Sequence, residues 1–297
     1  MAGFVKRGIK MNIKVYAPVS LQEAVELFRQ EGGKVLAGGT DLIIELRKEK
    51  LMLQYLLDLS YIAELKGITI TDTEVVLGAM TTFSDIVSNE YIKQNIPALW
   101  ECASKVGACQ IQNRATIGGN ICNAAAAADS IPVLLSLGAV CVIIGCSGER
   151  VLPIDEFVLG SSKNGLIKGE LLKSIVFPKP AEYEYNSFSK LGKRNALAIS
   201  TIVCAIRFKA EEGRISDIAV CTGSLGSKAA RERGVEMYLT GKILPDIDIQ
   251  KAADILSTEV EERLKTRASI VYKKHAVKGV FKEALEKCIE SYGSSMR

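Results

Sequence analysis

The sequence predicts an α+β protein of two domains, the first divided into two subdomains. Three observations predict it. Within the first sixty residues, short apolar runs alternate with helical periodicity, the pattern of a small α/β unit. A second block opens and closes with strand-like runs around several short helices. Beyond Pro178-Lys-Pro-Ala-Glu182, where two prolines interrupt any regular element, long β-like stretches give way to two helical patterns. The domains are thus expected at 12–178, with subdomains of about 12–65 and 66–178, and at 184–292.

Val15-Tyr-Ala-Pro18 reads as a short strand and turn. Ser20-Leu-Gln-Glu23 has the form of a capping box, and Ala24, Val25, Leu27 and Phe28 follow at helical spacing. Gly32-Gly33 ends that helix. Lys34 to Ala37 reads as a buried strand, Gly38-Gly39 as a turn, and Thr40 or Asp41 as the cap of a helix through Arg47. Leu56–Leu59 is a further strand.

In the second block, strands are expected at Gly67–Ile70 and Val75–Ala79. Thr82-x-x-Asp85 starts a short helix, and Pro97 opens another through Val106. Gly107 to Asn123 reads as a long irregular segment. Gly138 divides the apolar run Ile131–Ile144 into a buried helix and a strand, and Leu171–Phe177 closes the block. The last domain is expected to hold strands at Tyr185–Leu191, Ala196–Phe208 and Ile215–Gly223, with a hairpin at Glu211-Glu-Gly-Arg214. Helices over Ile249–Leu264 and Ala268–Tyr292 follow.

Composition narrows the partners. Against 34 acidic residues, 38 basic ones leave a net charge of only +4, scattered without interleaved aromatics, which argues against nucleic acid. The run Ile131–Ile144 is too short to span a bilayer, so no membrane partner is expected. No signal-peptide pattern is evident, Met11 reads as an alternative start after a ten-residue extension, and a cytoplasmic location is expected. Cysteines 102, 109, 122, 141, 146, 204, 221 and 288 show no metal-binding or ferredoxin spacing and read as reduced thiols. With His275 the only histidine, a catalytic triad or histidine metal site has almost nothing to be built from.

Function is written in two glycine pairs. The first lies in Lys34-Val-Leu-Ala-Gly-Gly-Thr-Asp-Leu42, the second in Arg114-Ala-Thr-Ile-Gly-Gly-Asn120. A glycine pair lets backbone amides approach a phosphate without Cβ interference, and a helix just beyond adds donors. Each pair alone reads equally as a tight turn. Two in one domain, each with an apolar entry and a neighbouring threonine, point to a ligand with two phosphates. Neither Gly-x-Gly-x-x-Gly nor a P-loop is present, which disfavours ordinary NAD and ATP domains.

Ala37-Gly-Gly-Thr-Asp-Leu42, paired with Ala115-Thr-Ile-Gly-Gly-Asn120 and an aspartate nine residues on at Asp129, resembles the FAD-binding (medium) subunit of the molybdenum hydroxylases. The likeness is strongest to bacterial xanthine dehydrogenase FAD-binding subunits, around Gln110-Ile-Gln-Asn113 and Ala128-Asp-Ser130. It continues into the second domain through Phe188-Ser-Lys190 and Arg194.

The resemblance implies a PCMH/vanillyl-alcohol-oxidase type FAD-binding domain, followed by an α+β domain of the carbon monoxide dehydrogenase flavoprotein C-terminal type. It implies that the amides of Leu36, Ala37, Gly38, Gly39, Thr40, Asp41 and Leu42, and of Thr116, Ile117, Gly118, Gly119 and Asn120, hold the FAD pyrophosphate. By the same likeness Asp129 lies near the ADP portion, with a helix N-cap as its alternative. Leu172 packs near the cofactor or is a plain core leucine. Lys190 sits beside the flavin ring, and no other residue is singled out as catalytic. Val106 stands where animal homologues carry a stacking aromatic, which puts that contact in doubt.

FAD is expected to be non-covalent, because His275 lies outside every motif. NAD+ is the implied acceptor, with the molybdenum cofactor on a large partner subunit and [2Fe-2S] clusters on a small one, in a heterotrimer that dimerises. The substrate implied is xanthine, another N-heterocycle or an aldehyde. Two other classes fit the same loops: a stand-alone FAD-dependent reductase of the cell-wall nucleotide-sugar type, and a flavin-free assembly subunit.

Overall fold

The computed structural model describes residues 4–6, 9–11, 13–48, 53–194 and 197–295. Phe4–Lys6 and Ile9–Met11 form a small antiparallel pair ahead of the first domain. Lys14–Tyr16, Tyr55–Asp58 and Lys34–Leu36 then make a parallel sheet with Tyr55–Asp58 in the middle. Parallel neighbours need crossovers, which the helices Leu21–Glu31 and Leu42–Arg47 supply. Leu21, Ala24 and Val25 bury against Leu57, Leu59 and Ile62.

Two local expectations change here. Ser20 caps its helix by accepting from the Glu23 amide at 3.3 Å, but the Glu23 carboxylate takes the Val19 amide and leaves the box open. The strand expected at Lys34–Ala37 ends at Leu36 and is not buried, because it forms the edge of its sheet.

The second subdomain is a five-stranded antiparallel sheet in the order Ile68–Ile70, Glu74–Gly78, Leu171–Pro178, Val140–Gly145, Gly148–Pro153. Helices Phe83–Ser88, Pro97–Ser104 and Ser130–Ser136 cover it, with Phe83, Leu99 and Leu134 fully buried. Thr82 and Asp85 close a complete capping box at the first of these. The helix from Pro97 stops at Ser104, two residues short of the expected end. The segment 107–123, expected to be irregular, holds two short helices, Cys109–Gln112 and Ile117–Asn123. Pro178, expected in the linker, pairs with Glu74 as the last residue of its strand.

After residues 179–183 the chain builds a second antiparallel sheet from Glu184–Gly192, Ser200–Glu211, Arg214–Gly223 and Ala230–Arg231. Ala196, where the middle strand was expected to begin, lies outside the described residues. Glu212 and Gly213 both take positive φ (49° and 77°), the geometry of a type I′ turn. The helices Ile249–Leu264 and Ile270–Ser295 lie on this sheet.

Its strands are covered on both faces. Phe188, Val203, Ala205 and Cys221 belong to the core of the first domain, while Ile202, Cys204, Ile206 and Phe208 face the two long helices. Double burial explains why the middle strand reads as a nearly unbroken apolar run instead of an alternation. It also packs the second domain against the core of the first.

Candidate cofactor-binding site

At the end of Lys34–Leu36 the chain turns through Ala37-Gly38-Gly39-Thr40-Asp41 into the helix Leu42–Arg47. Gly39 has φ of 75°, a conformation that a side chain resists. Gly38 is required for another reason. A Cβ there would lie 1.9 Å from the Arg114 carbonyl oxygen, so the first loop rests directly on the backbone that leads into the second. Within the described residues, the amides of Gly38, Gly39, Thr40, Asp41 and Leu42 donate to no protein acceptor. Asp41 precedes the helix but makes no capping bond with its side chain. Its carboxylate instead accepts from Asn123 Nδ2 at 3.0 Å, latching the first loop to the end of the second.

The second loop is different. Thr116 is the N-cap of Ile117–Asn123, its hydroxyl accepting from the Gly119 amide at 3.0 Å. The Ile117 amide donates to Thr81, that of Gly118 to Ala79 and that of Asn120 to Thr116. The expectation that amides 117–120 face a phosphate is therefore corrected. They tie the loop to the fold and close the first turn of its helix. Gly118 lies so close to its neighbour that a Cβ would come within 2.5 Å of the Ala79 oxygen. The loop still presents the Thr116 side chain and Asn120, whose Oδ1 accepts from Ser130 and so leaves Nδ2 to donate. At Gly119, a Cβ would fill the narrow space between Thr116 Oγ1 (2.9 Å) and Ala37 Cβ (3.7 Å).

Between the loops opens a cleft of about 370 Å³. Of the expected residues, Ala37, Gly38, Gly39, Thr40, Asp41, Leu42, Thr116, Gly118, Gly119, Asn120 and Leu172 line it. Leu36 and Ile117 stand behind the wall: the Leu36 carbonyl accepts from Leu59, and Ile117 is fully buried in the core. Asp129 and Lys190 are not in the lining either. They form one buried ion pair across the domain boundary, Nζ to Oδ2 at 2.6 Å. Asp129 stands ahead of the helix Ser130–Ser136 but makes no capping bond. Its other oxygen accepts from Ser200, and Lys190 donates further to the Lys105 carbonyl at 3.0 Å.

Several contributors to the cleft escaped sequence reasoning. Asn123 holds Asp41, while Asn164 donates to the Cys122 carbonyl at 2.7 Å and accepts from Leu166. Arg150 grips Glu170 with two hydrogen bonds of 2.7 and 2.6 Å and also holds the Gly165 carbonyl, pinning the segment that leads into Leu171–Leu172. Each pairing links residues distant in sequence or set in a loop without periodicity. Cys122 also lines the cleft, and burial pushes its thiol up to about 12, so it is an inert wall. All eight cysteines are free, and no group of metal-ligating side chains is found among the described residues.

A two-domain fold with two backbone loops clamping one cleft defines a class of nucleotide-binding protein, and sequence comparison identifies the family. Residues 10–180 match the FAD binding domain in molybdopterin dehydrogenase, and 187–288 match the CO dehydrogenase flavoprotein C-terminal domain. The chain belongs to the family of FAD-binding subunits of molybdenum hydroxylases. It is 30% identical to the nicotinate dehydrogenase FAD-subunit of Eubacterium barkeri, over 92% of this chain and 94% of that one. It is equally 30% identical to the xanthine dehydrogenase FAD-binding subunit of Escherichia coli O157:H7, over 94% and 96%. Among solved structures, carbon monoxide dehydrogenase from Hydrogenophaga pseudoflava, in a form which lacks the Mo-pyranopterin moiety of its cofactor, matches with a TM-score of 0.87. The identity is 30%, covering 94% of this chain and 98% of that one.

Proposed function

We propose that this chain is the electron-transfer subunit of a xanthine dehydrogenase-like molybdenum hydroxylase. It would carry non-covalent FAD and pass electrons from [2Fe-2S] clusters on a small subunit to NAD+, while a large subunit with the molybdenum cofactor transforms the substrate. The observation that carries this reading is the row of five unengaged amides, Gly38 to Leu42, along one wall of the cleft. These residues are part-exposed at the cleft, so their amides are open to a ligand, and a diphosphate satisfies several at once. FAD, when bound, supplies the exchange between single electrons from clusters and electron pairs for NAD+.

The protein's own contribution is binding and placement. Amides 38–42 and the Thr40 hydroxyl hold the diphosphate. Thr116 and Asn120 Nδ2 add donors opposite, and Gly119 keeps the gap open. Leu172 and Ala37 line the cleft with apolar surface that excludes water. Leu36 and Ile117 brace the loops from behind. Lys190 is our assignment for the cation at the ring end, and Asp129 positions it. The division into domains at 12–178 and 184–292 is supported by the separate sheets on either side of 179–183.

Relatives at the same 30% identity are named for nicotinate, xanthine and carbon monoxide, so likeness in this subunit does not select the substrate. We take xanthine or a related N-heterocycle as the substrate class, on the motifs around Gln110–Asn113 and Ala128–Ser130. The assembly would be a heterotrimer that dimerises. Eight free thiols suit the reducing cytoplasm, and no helix among the described residues is long and apolar enough to cross a membrane.

The test is flavin content. The purified full chain should hold one FAD that denaturation releases unmodified, and the reconstituted complex should reduce NAD+ at the expense of substrate. Stoichiometric flavin without NAD+ reduction would refute the acceptor and leave the cofactor assignment standing.

A further inference from the structure

A second cleft, of about 330 Å³, lies at the contact between Gly38 and Arg114. The two clefts share Ala37, Gly38, Met80 and Thr116 as walls, so they adjoin. The lining of the second carries two cations, Lys66 and Arg114, among polar and apolar residues. Lys66 and Arg114 both line it, both are exposed, and neither side chain has an acidic or carbonyl partner among the described residues. Around them stand Ser60, Thr82 and Asn113. Asp85 is the one carboxylate in the lining, and Thr82 holds it through its amide at 2.8 Å and its hydroxyl at 2.7 Å. Two unpaired cations against one hydrogen-bonded carboxylate leave the cleft positive.

From this geometry we infer that the second cleft is an anion site for the phosphates of the dinucleotide electron acceptor, with Lys66 and Arg114 as its charged contacts. The inference rests on the acceptor reading above and adds the residues that receive it. Arginine and lysine suit the task in different ways. The guanidinium fork grips phosphate oxygens in pairs, and the ammonium acts as a point charge. Arg114 has a further consequence for the site. Its carbonyl lies against Gly38, which lines both clefts, and Arg114 itself lines the second. Because both cations are exposed, their attraction for an anion is screened by salt, and binding should weaken steadily as ionic strength rises.

The experiment uses the full chain loaded with FAD and titrated by calorimetry with inorganic pyrophosphate and with NADH. The double variant Lys66→Gln/Arg114→Gln is compared with the parent. The expected result is saturable binding of both ligands to the parent, at least tenfold weaker binding to the variant, and unchanged flavin occupancy in the two. Equal binding by parent and variant would overturn the inference, as would absence of pyrophosphate binding to the parent. Loss of flavin from the variant would also overturn it, by assigning the two cations to the FAD cleft. Pyrophosphate binding that depends on both cations, without NADH binding, would keep the anion site and refute the NAD+ acceptor instead.

Discussion

Lys190, on the first strand of the second domain, closes an ion pair of 2.6 Å with Asp129 of the first, both side chains less than a tenth exposed. Buried pairs contribute little net stability while intact but are costly to break from one side. Asp129→Asn should therefore destabilise the chain by about 3–5 kcal/mol, because it leaves the Lys190 ammonium without its counter-charge. Asp129→Asn/Lys190→Met should recover much of that loss. Urea unfolding of the three proteins checks this, and near-equal midpoints for parent and Asp129→Asn would contradict it.

Gly38 and Gly279 form a contrast. A Cβ at Gly38 meets the Arg114 carbonyl at 1.9 Å, whereas one at Gly279, inside the helix Ile270–Ser295, meets nothing within 4 Å. Gly38→Ala should cost about 1–3 kcal/mol by overpacking and should lower flavin affinity by separating the loops. Gly279→Ala should stabilise by roughly 0.5–1 kcal/mol with flavin binding unchanged. Thermal melts with and without added FAD measure both.

Much of the fold was legible in the sequence, and some of it was not. The glycine pairs, the Thr82–Asp85 box and the helix Ile249–Leu264 carry local signals and appear where expected. The helix Arg233–Leu239 was missed, because its cap comes from elsewhere. Glu259, on the neighbouring long helix, accepts from the Gly234 and Val235 amides at 2.8 and 3.3 Å. The second loop was misjudged for a related reason. That Gly118 donates to Ala79 depends on a strand forty residues earlier, which no local pattern announces. Asp129 and Lys190 were singled out separately, each for its own role, and their pairing is a property of the domain interface.

Thr116 sets the second loop. Thr116→Ala removes the acceptor for the Gly119 amide and should cost about 1 kcal/mol, together with weaker flavin retention. Thr116→Ser keeps the hydroxyl and should restore most of both. Equal flavin affinity in the alanine and serine variants would show that the cap does not set the loop.

Acid should loosen the floor of the cleft through Glu170. The Arg150 guanidinium holds its carboxyl below the usual carboxylate range, against a smaller opposing effect of burial. A depressed pKa contributes stability that is fully present above the unfolded value of about 4.3 and is lost as pH falls through the lower folded value. Melting temperature should thus drop below about pH 4.3, and Glu170→Gln should remove that part of the acid limb. Parallel acid limbs in the two proteins would contradict this.

The central claim is that the five amides of Gly38 to Leu42 face a cofactor diphosphate, and equilibrium titration of the flavin-stripped full chain with FAD tests it most directly. The expected result is saturation at one FAD per chain, with competition by ADP and none by riboflavin at the same concentration. A chain whose circular dichroism shows an intact fold yet takes up no FAD, or takes up riboflavin as tightly, would contradict it.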